Sequence, residues 1–223
     1  AQGIILRNRL PPALSPDPET VRRIGLAVVD TLVELHAVDV RATGLVELGR
    51  PEGYVERQVR GWRERYAKAG THDLEDMDAV GDWLAAHLPA SSEAVLIHND
   101  FKLDNLVLNP QDPTQVVAVL DWEMATVGDP LMDLGVTLAY WIEEEDPPVL
   151  QRIGLGRLPG SLRRAEVVAR YAEGRGLPAG DLAERMVFYY VFGLYKVAVI
   201  AQQIYARYRQ GFTRDERFGG LDA

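Results

Sequence analysis

The stretch that decides the fold is Leu96-Ile97-His98-Asn99-Asp100-Phe101-Lys102-Leu103-Asp104-Asn105. It begins inside a short apolar run, residues 94–97, of the kind that forms a buried β-strand. The predicted strand is followed at once by a polar loop. A second polar cluster, residues 121–123, follows another apolar run at 116–120. We therefore expect two polar loops, each delivered by a strand.

The two clusters flank a predicted β-hairpin, whose strands, residues 106–108 and 116–120, are separated by turn-forming residues at 109–113. This hairpin brings Asn105 and Asp121, 16 positions apart, close together. A carboxylate and an amide oxygen suit Mg²⁺ that is held partly by substrate phosphates. The carboxylate of Asp100 lies five residues before Asn105 and is placed to meet a substrate hydroxyl. Together these groups predict a phosphoryl-transfer site.

The spacing His98-x-Asp100-x4-Asn105 matches the catalytic-loop pattern of kinases. The match is strengthened by Asp121, which follows an apolar strand, and by the segment Gly128–Leu134 after it. With these motifs the chain resembles the aminoglycoside phosphotransferase family of kinase-like enzymes. It is similar above all to the branch that includes the kinase-like domains fused to acyl-CoA dehydrogenases. The resemblance covers nearly the whole chain.

The resemblance implies that Asp100 is the catalytic base and that Asn105 and Asp121 hold Mg²⁺. Lys102 matches a cation that some kinases place near the transferring phosphate. ATP is the expected phosphate donor, and a small molecule with a hydroxyl group is the expected acceptor.

Further residues have expected supporting roles. His98 and Asp133 resemble the residues that hold the catalytic loop in kinase-like folds. Candidate substrate-binding residues are Asp104, Glu123 and Trp141. Glu123 stands where protein kinases carry the Gly of Asp-Phe-Gly, so we expect no movable activation segment there.

The fold class that we predict is mainly α with a small β-hairpin (α+β), a protein-kinase-like large (C-terminal) lobe. Helical patterns cover residues 17–36, 53–69, 74–88, 130–141, 162–174 and 181–209. Residues 1–12 are expected to be the end of a hinge from a small lobe, and residues 13–223 to be the large lobe with catalytic loop 98–105. A Gly-rich loop, a strand Lys and a helix Glu are not found in the sequence. We therefore expect the small nucleotide-binding lobe to be absent, and little turnover without it.

Composition excludes several classes. The formal net charge of −9 argues against broad binding to nucleic acid, which needs many Lys and Arg. The absence of Cys excludes disulfides and thiolate catalysis, and it fits a reducing, cytoplasmic location. The apolar run 186–201 is shorter than the ~20 residues of a membrane span, so we expect a buried core helix and no membrane. His36 is interpreted as a helix-end residue.

The acceptor has two candidate classes. The acidic run 143–146 could attract a polyamine such as an aminoglycoside, although such runs more often form solvated helix ends. The similarity to the acyl-CoA dehydrogenase branch suggests a hydroxyacyl metabolite instead. Two other functions stay open: a non-catalytic pseudokinase or binding module, and a metal-dependent phosphohydrolase.

Overall fold

The computed structural model describes residues 3–7, 10–11, 14–70, 74–90, 93–152 and 157–213. In those ranges the chain is mostly helical, and its four short strands pair into two antiparallel sheets of two strands each. The helices are α1 (Pro18–His36), α2 (Tyr54–Ala69), α3 (Glu75–Ala86), α4 (Pro130–Ala139), α5 (Arg164–Arg175) and α6 (Ala179–Arg209). The strands are β1 (Val95–Ile97), β2 (Leu106–Leu108), β3 (Val116–Val119) and β4 (Thr126–Gly128). The prediction of a mainly helical chain is confirmed, whereas the predicted hinge at residues 1–12 lies partly outside the described residues.

Two helices begin at capping carboxylates. Asp17 accepts a hydrogen bond from the backbone N–H of Thr20 (3.0 Å), and Pro18 occupies the first turn, where its missing N–H costs nothing. Asp129 likewise accepts from the N–H of Leu131 (2.8 Å) at the start of α4. The cap at Asp129 fixes where α4 starts, and hence where the residues of its first turn lie.

The predicted hairpin is confirmed. Strands β2 and β3 pair antiparallel, with Leu106 opposite Val119. On the other edge of β2, Ile4 donates to the carbonyl of Leu108 (2.9 Å) and accepts from its N–H (2.8 Å). The apolar segment at residues 3–6 therefore adds one bridge to this small sheet.

We did not predict the second ladder, in which β1 pairs antiparallel with β4. Val95 lies opposite Gly128, and Ile97 lies opposite Thr126. At three residues, β4 is too short to show the alternation that marks a strand in sequence. The loop after Ile97 and the turn before Thr126 leave the same end of this ladder. The pairing therefore brings the two polar loops together.

The core is built on a close crossing of α4 and α6. A Cβ at Gly135 would lie 2.2 Å from the carbonyl oxygen of Tyr189, and a Cβ at Gly193 would lie 2.3 Å from the carbonyl oxygen of Gly135. No side chain fits at either position without moving backbone. Glycine at both positions thus lets the two helix backbones touch.

By length and composition alone, α6 could cross a membrane. In the structure it packs against α2, α3, α4 and α5, and it buries polar side chains, Lys196 and Gln202, as well as apolar ones. This packing is that of a core helix.

Candidate functional site

The loop that follows β1 holds the carboxylate of Asp100 between two donors. Lys102 Nζ donates to both carboxylate oxygens (2.9 Å each), and Asn105 Nδ2 donates to Oδ2 (2.9 Å). Asn105 Nδ2 also donates to the Asp100 backbone carbonyl (2.8 Å). The Asp100 side chain is 19% exposed, so its carboxylate is oriented by neighbours and still reachable from outside.

Asp133, in the first turn of α4, holds the start of this loop. Its fully buried carboxylate accepts from the backbone N–H groups of His98 (2.6 Å) and Asn99 (2.8 Å), and its Oδ2 lies 3.3 Å from His36 Nε2. Burial alone would raise the pKa of Asp133, but the hydrogen bond and charge of His36, together with the His98 N–H, hold it below its ordinary value. The contacts are those expected of a carboxylate that fixes loop backbone.

The prediction that His36 lies at a helix end is confirmed, since α1 ends there, and its side chain makes buried contacts that the sequence did not predict. Its side chain is buried, with Nδ1 2.7 Å from the hydroxyl of Tyr171 and Nε2 facing Asp133. The sequence signal was its position on the apolar face of α1, four residues after Leu32. His36 therefore supports the site through Asp133.

His98 is buried and joins the loop to the segment before Asp121. Its Nε2 donates to the carbonyl of Leu120 (2.8 Å), which leaves Nδ1 to accept the N–H of Asp100 (3.3 Å). Both ring nitrogens are thus engaged with backbone. This geometry suits the predicted supporting role.

Asp121 lies on the neighbouring segment. It is exposed, has a left-handed backbone (φ 63°) and precedes a 3₁₀ turn, Trp122–Met124, in which Glu123 is also exposed. The N–H of Leu120 donates to the carbonyl of Asn105 (2.8 Å), so Asn105 and Asp121 sit on hydrogen-bonded neighbouring stretches.

The donor set at this place fits Mg²⁺ that is completed by substrate. One carboxylate and one amide oxygen are too few for an all-protein cage, and the part of the chain that the structure describes holds no cluster of three His, Cys, Asp or Glu able to bind a metal. Mg²⁺ in phosphoryl-transfer sites is commonly bound by one or two carboxylates plus phosphate oxygens. Asn105 and Asp121 could therefore hold the ion once a nucleotide supplies the rest.

An apolar cavity of about 80 Å³ adjoins the loop. Two of the predicted substrate residues, Asp104 and Trp141, line it, together with Lys102, Tyr140 and Leu162. Trp141 Nε1 donates to the Leu162 carbonyl (2.8 Å), and Lys102 Nζ lies 4.7 Å from the centre of the Tyr140 ring. Burial raises the pKa of Asp104, against the opposing charge of Lys102. The third predicted substrate residue, Glu123, is not among the residues that line this cavity.

Arginines pair with the acidic run at 143–146. Arg164 bonds Glu143 (3.3 Å) and Asp146, while Arg163 and Arg157 pair with Glu145 and Glu144. Much of the charge of this run is therefore already neutralised within the chain.

Two residues at the site escaped the sequence reasoning. Asn99 lies within the catalytic-loop motif and Lys196 lies within the apolar run 186–201, but the sequence predicts a role for neither. In the structure Lys196 is buried and donates to the carbonyl of Asn99 (2.6 Å). A lysine within a strongly apolar helical run was the signal that could have marked it.

Comparison with known proteins agrees with this geometry. The model of the phosphotransferase enzyme family (APH) matches residues 3–168, which include the loop and both metal-ligand candidates. A structure from Ralstonia eutropha, described as an aminoglycoside phosphotransferase, superposes with a TM-score of 0.81 and 28% identity over 99% of this chain and 66% of that chain.

Curated relatives show the same likeness. Human acyl-CoA dehydrogenase family member 11 is 33% identical over 216 residues, which are 96% of this chain and 27% of that protein. An aminoglycoside 3'-phosphotransferase from Escherichia coli is 30% identical over 141 residues, 57% of this chain and 48% of that protein. The chain thus spans about a quarter of the length of the first of these relatives.

Proposed function

The chain belongs to the phosphotransferase enzyme family, and from that premise we propose that it serves an ATP-dependent phosphotransferase acting on a hydroxyl of a small molecule. The observation that carries the proposal is the Asp100 carboxylate, which Lys102 and Asn105 hold by hydrogen bonds of 2.9 Å beside an apolar cavity. An oriented, partly exposed carboxylate is what a general base for a hydroxyl requires.

Each residue of the loop has a distinct proposed role. Asp100 accepts the proton of the acceptor hydroxyl as the hydroxyl oxygen bonds to the γ-phosphorus of ATP and the bond from that phosphorus to ADP breaks. Lys102, which bridges the carboxylate and the cavity, orients Asp100 and places a positive charge where the phosphoryl group passes. Asn105 and Asp121 would hold Mg²⁺, which would neutralise charge on the phosphates.

Residues 13–223 are proposed to form the large lobe, with residues 1–12 as the end of the hinge. Kinase-type catalysis is mostly positioning and charge stabilisation, and it needs elements that cover the phosphates. None of the four strands among the described residues supplies such elements. We therefore propose that this lobe by itself turns over little.

For the acceptor, a hydroxyacyl metabolite is favoured over an aminoglycoside-like compound. The cavity beside Lys102 is lined mainly by apolar side chains of α1, of the segment that follows α4 and of the segment before α5, which suit a hydrocarbon chain. The acidic run that could have attracted a polyamine is paired with arginines. The similarity to an acyl-CoA dehydrogenase family member points the same way.

The test is a thermal shift of the full-length protein with ATP and Mg²⁺. ATP with Mg²⁺ at about 100 times its Kd should raise Tm by about 5–10 °C, and either component alone should raise it much less. Asp121→Asn and Asn105→Ala should lose most of the Mg²⁺-dependent part, while Glu184→Gln, an exposed carboxylate on α6, should keep it.

The alternatives give different results. A pseudokinase would show the shift but no transfer to any hydroxylated acceptor. A metal-dependent phosphohydrolase would release phosphate from phosphoesters without nucleotide, and that outcome would overturn the proposal.

A further inference from the structure

The buried ammonium group of Lys196 contacts the backbone of the catalytic loop. Lys196 lies in the middle of α6 and is only 3% exposed. Its Nζ donates to the carbonyl oxygen of Asn99 (2.6 Å) and lies 5.3 Å from the centre of the Trp62 ring on α2. Burying a charge is costly, and an apolar side chain of similar length would fill the space without that cost. The contact with Asn99 is therefore what a lysine provides here and an apolar residue would not.

Asn99 connects four parts of the fold. Its N–H donates to Asp133 on α4 (2.8 Å), and its carbonyl accepts from Lys196 on α6. Its side-chain oxygen accepts from the hydroxyl of Tyr54 on α2 (2.8 Å), and its side-chain nitrogen donates to the carbonyl of Met124 (3.0 Å), three residues after the proposed metal ligand. Asn99 also has a left-handed backbone (φ 66°), which Asn tolerates better than most residues.

The peptide between Asn99 and Asp100 links these contacts to the proposed base. The Asn99 carbonyl and the Asp100 N–H belong to one planar peptide unit, so a donor that fixes the carbonyl also fixes the N–H. That N–H in turn donates to His98 Nδ1 (3.3 Å). The unit is thus held on one side by an ammonium and on the other by an imidazole.

We infer that Lys196 is a positioning residue for Asp100: by its hydrogen bond to the Asn99 carbonyl, and together with the Asn99 side chain, it fixes the direction in which the Asp100 carboxylate is presented. The kinetic part of this inference rests on the proposed phosphotransferase function. The Asn99 side chain contributes as well, because its hydrogen bond to the Met124 carbonyl connects this residue to the turn after Asp121.

The charge around Lys196 agrees with this placement. Burial lowers its pKa to about 8, while the carboxylates of Asp133 and Asp100 raise the pKa and the cations Lys102 and Arg65 lower it. The ammonium form therefore persists near neutral pH, held by the two carboxylates that the loop itself contains or contacts.

The first experiment measures hydrogen exchange of the loop and needs no activity. In Lys196→Met, amides of residues 97–106 should exchange about 10- to 100-fold faster, the worth of one hydrogen bond to a charged group, while α4 and the remainder of α6 stay protected. The matched control is Val199→Ala, which removes packing from a fully buried residue of the same helix. Equal acceleration of the loop in both variants, or none in Lys196→Met, would overturn the inference.

The second experiment uses steady-state kinetics of the active protein. Lys196→Met should lower kcat by about 10²-fold, the usual cost of a misplaced catalytic group, with acceptor KM little changed. Asn99→Gly should have a smaller effect of the same kind, since it keeps the left-handed backbone and the carbonyl but loses both side-chain bonds. A full-length wild-type protein without transferase activity would refute the proposed function and leave the exchange result to decide the positioning role. An unchanged kcat in Lys196→Met, with the wild type active, would refute that role.

Discussion

Replacing Lys196 by Met should change how the stability of the protein depends on pH. Burial lowers the pKa of this lysine to about 8, against an ordinary value of 10.5 in an exposed or unfolded chain. Between these two values the unfolded state binds more protons than the folded state. Stability contributed by this group therefore rises with pH across that window, and it is lowest below the folded pKa, where the buried ammonium is fully charged.

The magnitude follows from the two pKa values. With about 8 for the folded and 10.5 for the unfolded state, the linkage relation gives a gain of about 2 kcal/mol between about pH 7 and about pH 9.5. Methionine has no titration, so this gain is missing from the variant. The difference in unfolding free energy, wild type minus Lys196→Met, should rise by about 2 kcal/mol over this range.

Urea unfolding at several pH values measures this difference. Buried tyrosines whose pKa is raised by burial, such as Tyr54 and Tyr171, destabilise the fold at high pH, but they do so in both proteins and cancel. Lys68→Met, at an exposed position near the end of α2, is the control and should give a difference that does not vary with pH. A wild-type-minus-Lys196→Met difference that is constant within about 0.5 kcal/mol would refute the reasoning about the buried charge.

Three further changes test the core and the site. Gly135→Ala should lower the free energy of unfolding in urea by about 2–3 kcal/mol, because its Cβ would lie 2.2 Å from a backbone carbonyl of α6. The control Gly180→Ala, with open space around the added Cβ, should leave the free energy of unfolding unchanged or raise it by up to about 1 kcal/mol. Equal effects of the two changes would contradict the close helix crossing. Asp133→Asn should lower the free energy of unfolding by about 3 kcal/mol, since it turns one of the two side-chain acceptors of loop N–H groups into a donor. Native-state hydrogen exchange should locate the lost protection at the loop, and a loss spread evenly over the fold would contradict this. Trp141→Ala should raise the acceptor KM about tenfold with less effect on kcat in steady-state assays, and an unchanged KM would remove the cavity from the acceptor site.

Local signals were enough to predict much of the fold. The caps at Asp17 and Asp129, the helical spacing of apolar residues and the turn residues between β2 and β3 each act over a few positions, and the corresponding elements are found where they were expected. The family was also identified correctly, because the spacing of His98, Asp100 and Asn105 is set by one short loop.

The parts that escaped prediction depend on contacts between distant residues. The pairing of β1 with β4 joins two segments of three residues each, too short for a periodic signal. Lys196 and Asn99 are 97 positions apart, and His36 meets Asp133 across the same number of positions. A buried polar residue reveals its partner only once the helices are packed, and so these supports of the loop were missed.

The central claim is that Asp100 is the base of a phosphoryl transfer, and the most direct measurement is transfer from ATP to a hydroxylated acceptor by wild type and Asp100→Asn. With Mg²⁺ present, the full-length wild-type protein should phosphorylate the hydroxyl group, and Asp100→Asn in the same full-length protein should reduce kcat by about 10² to 10⁴-fold, the usual worth of a positioned general base, while still binding nucleotide. Equal turnover by the two proteins would contradict the account.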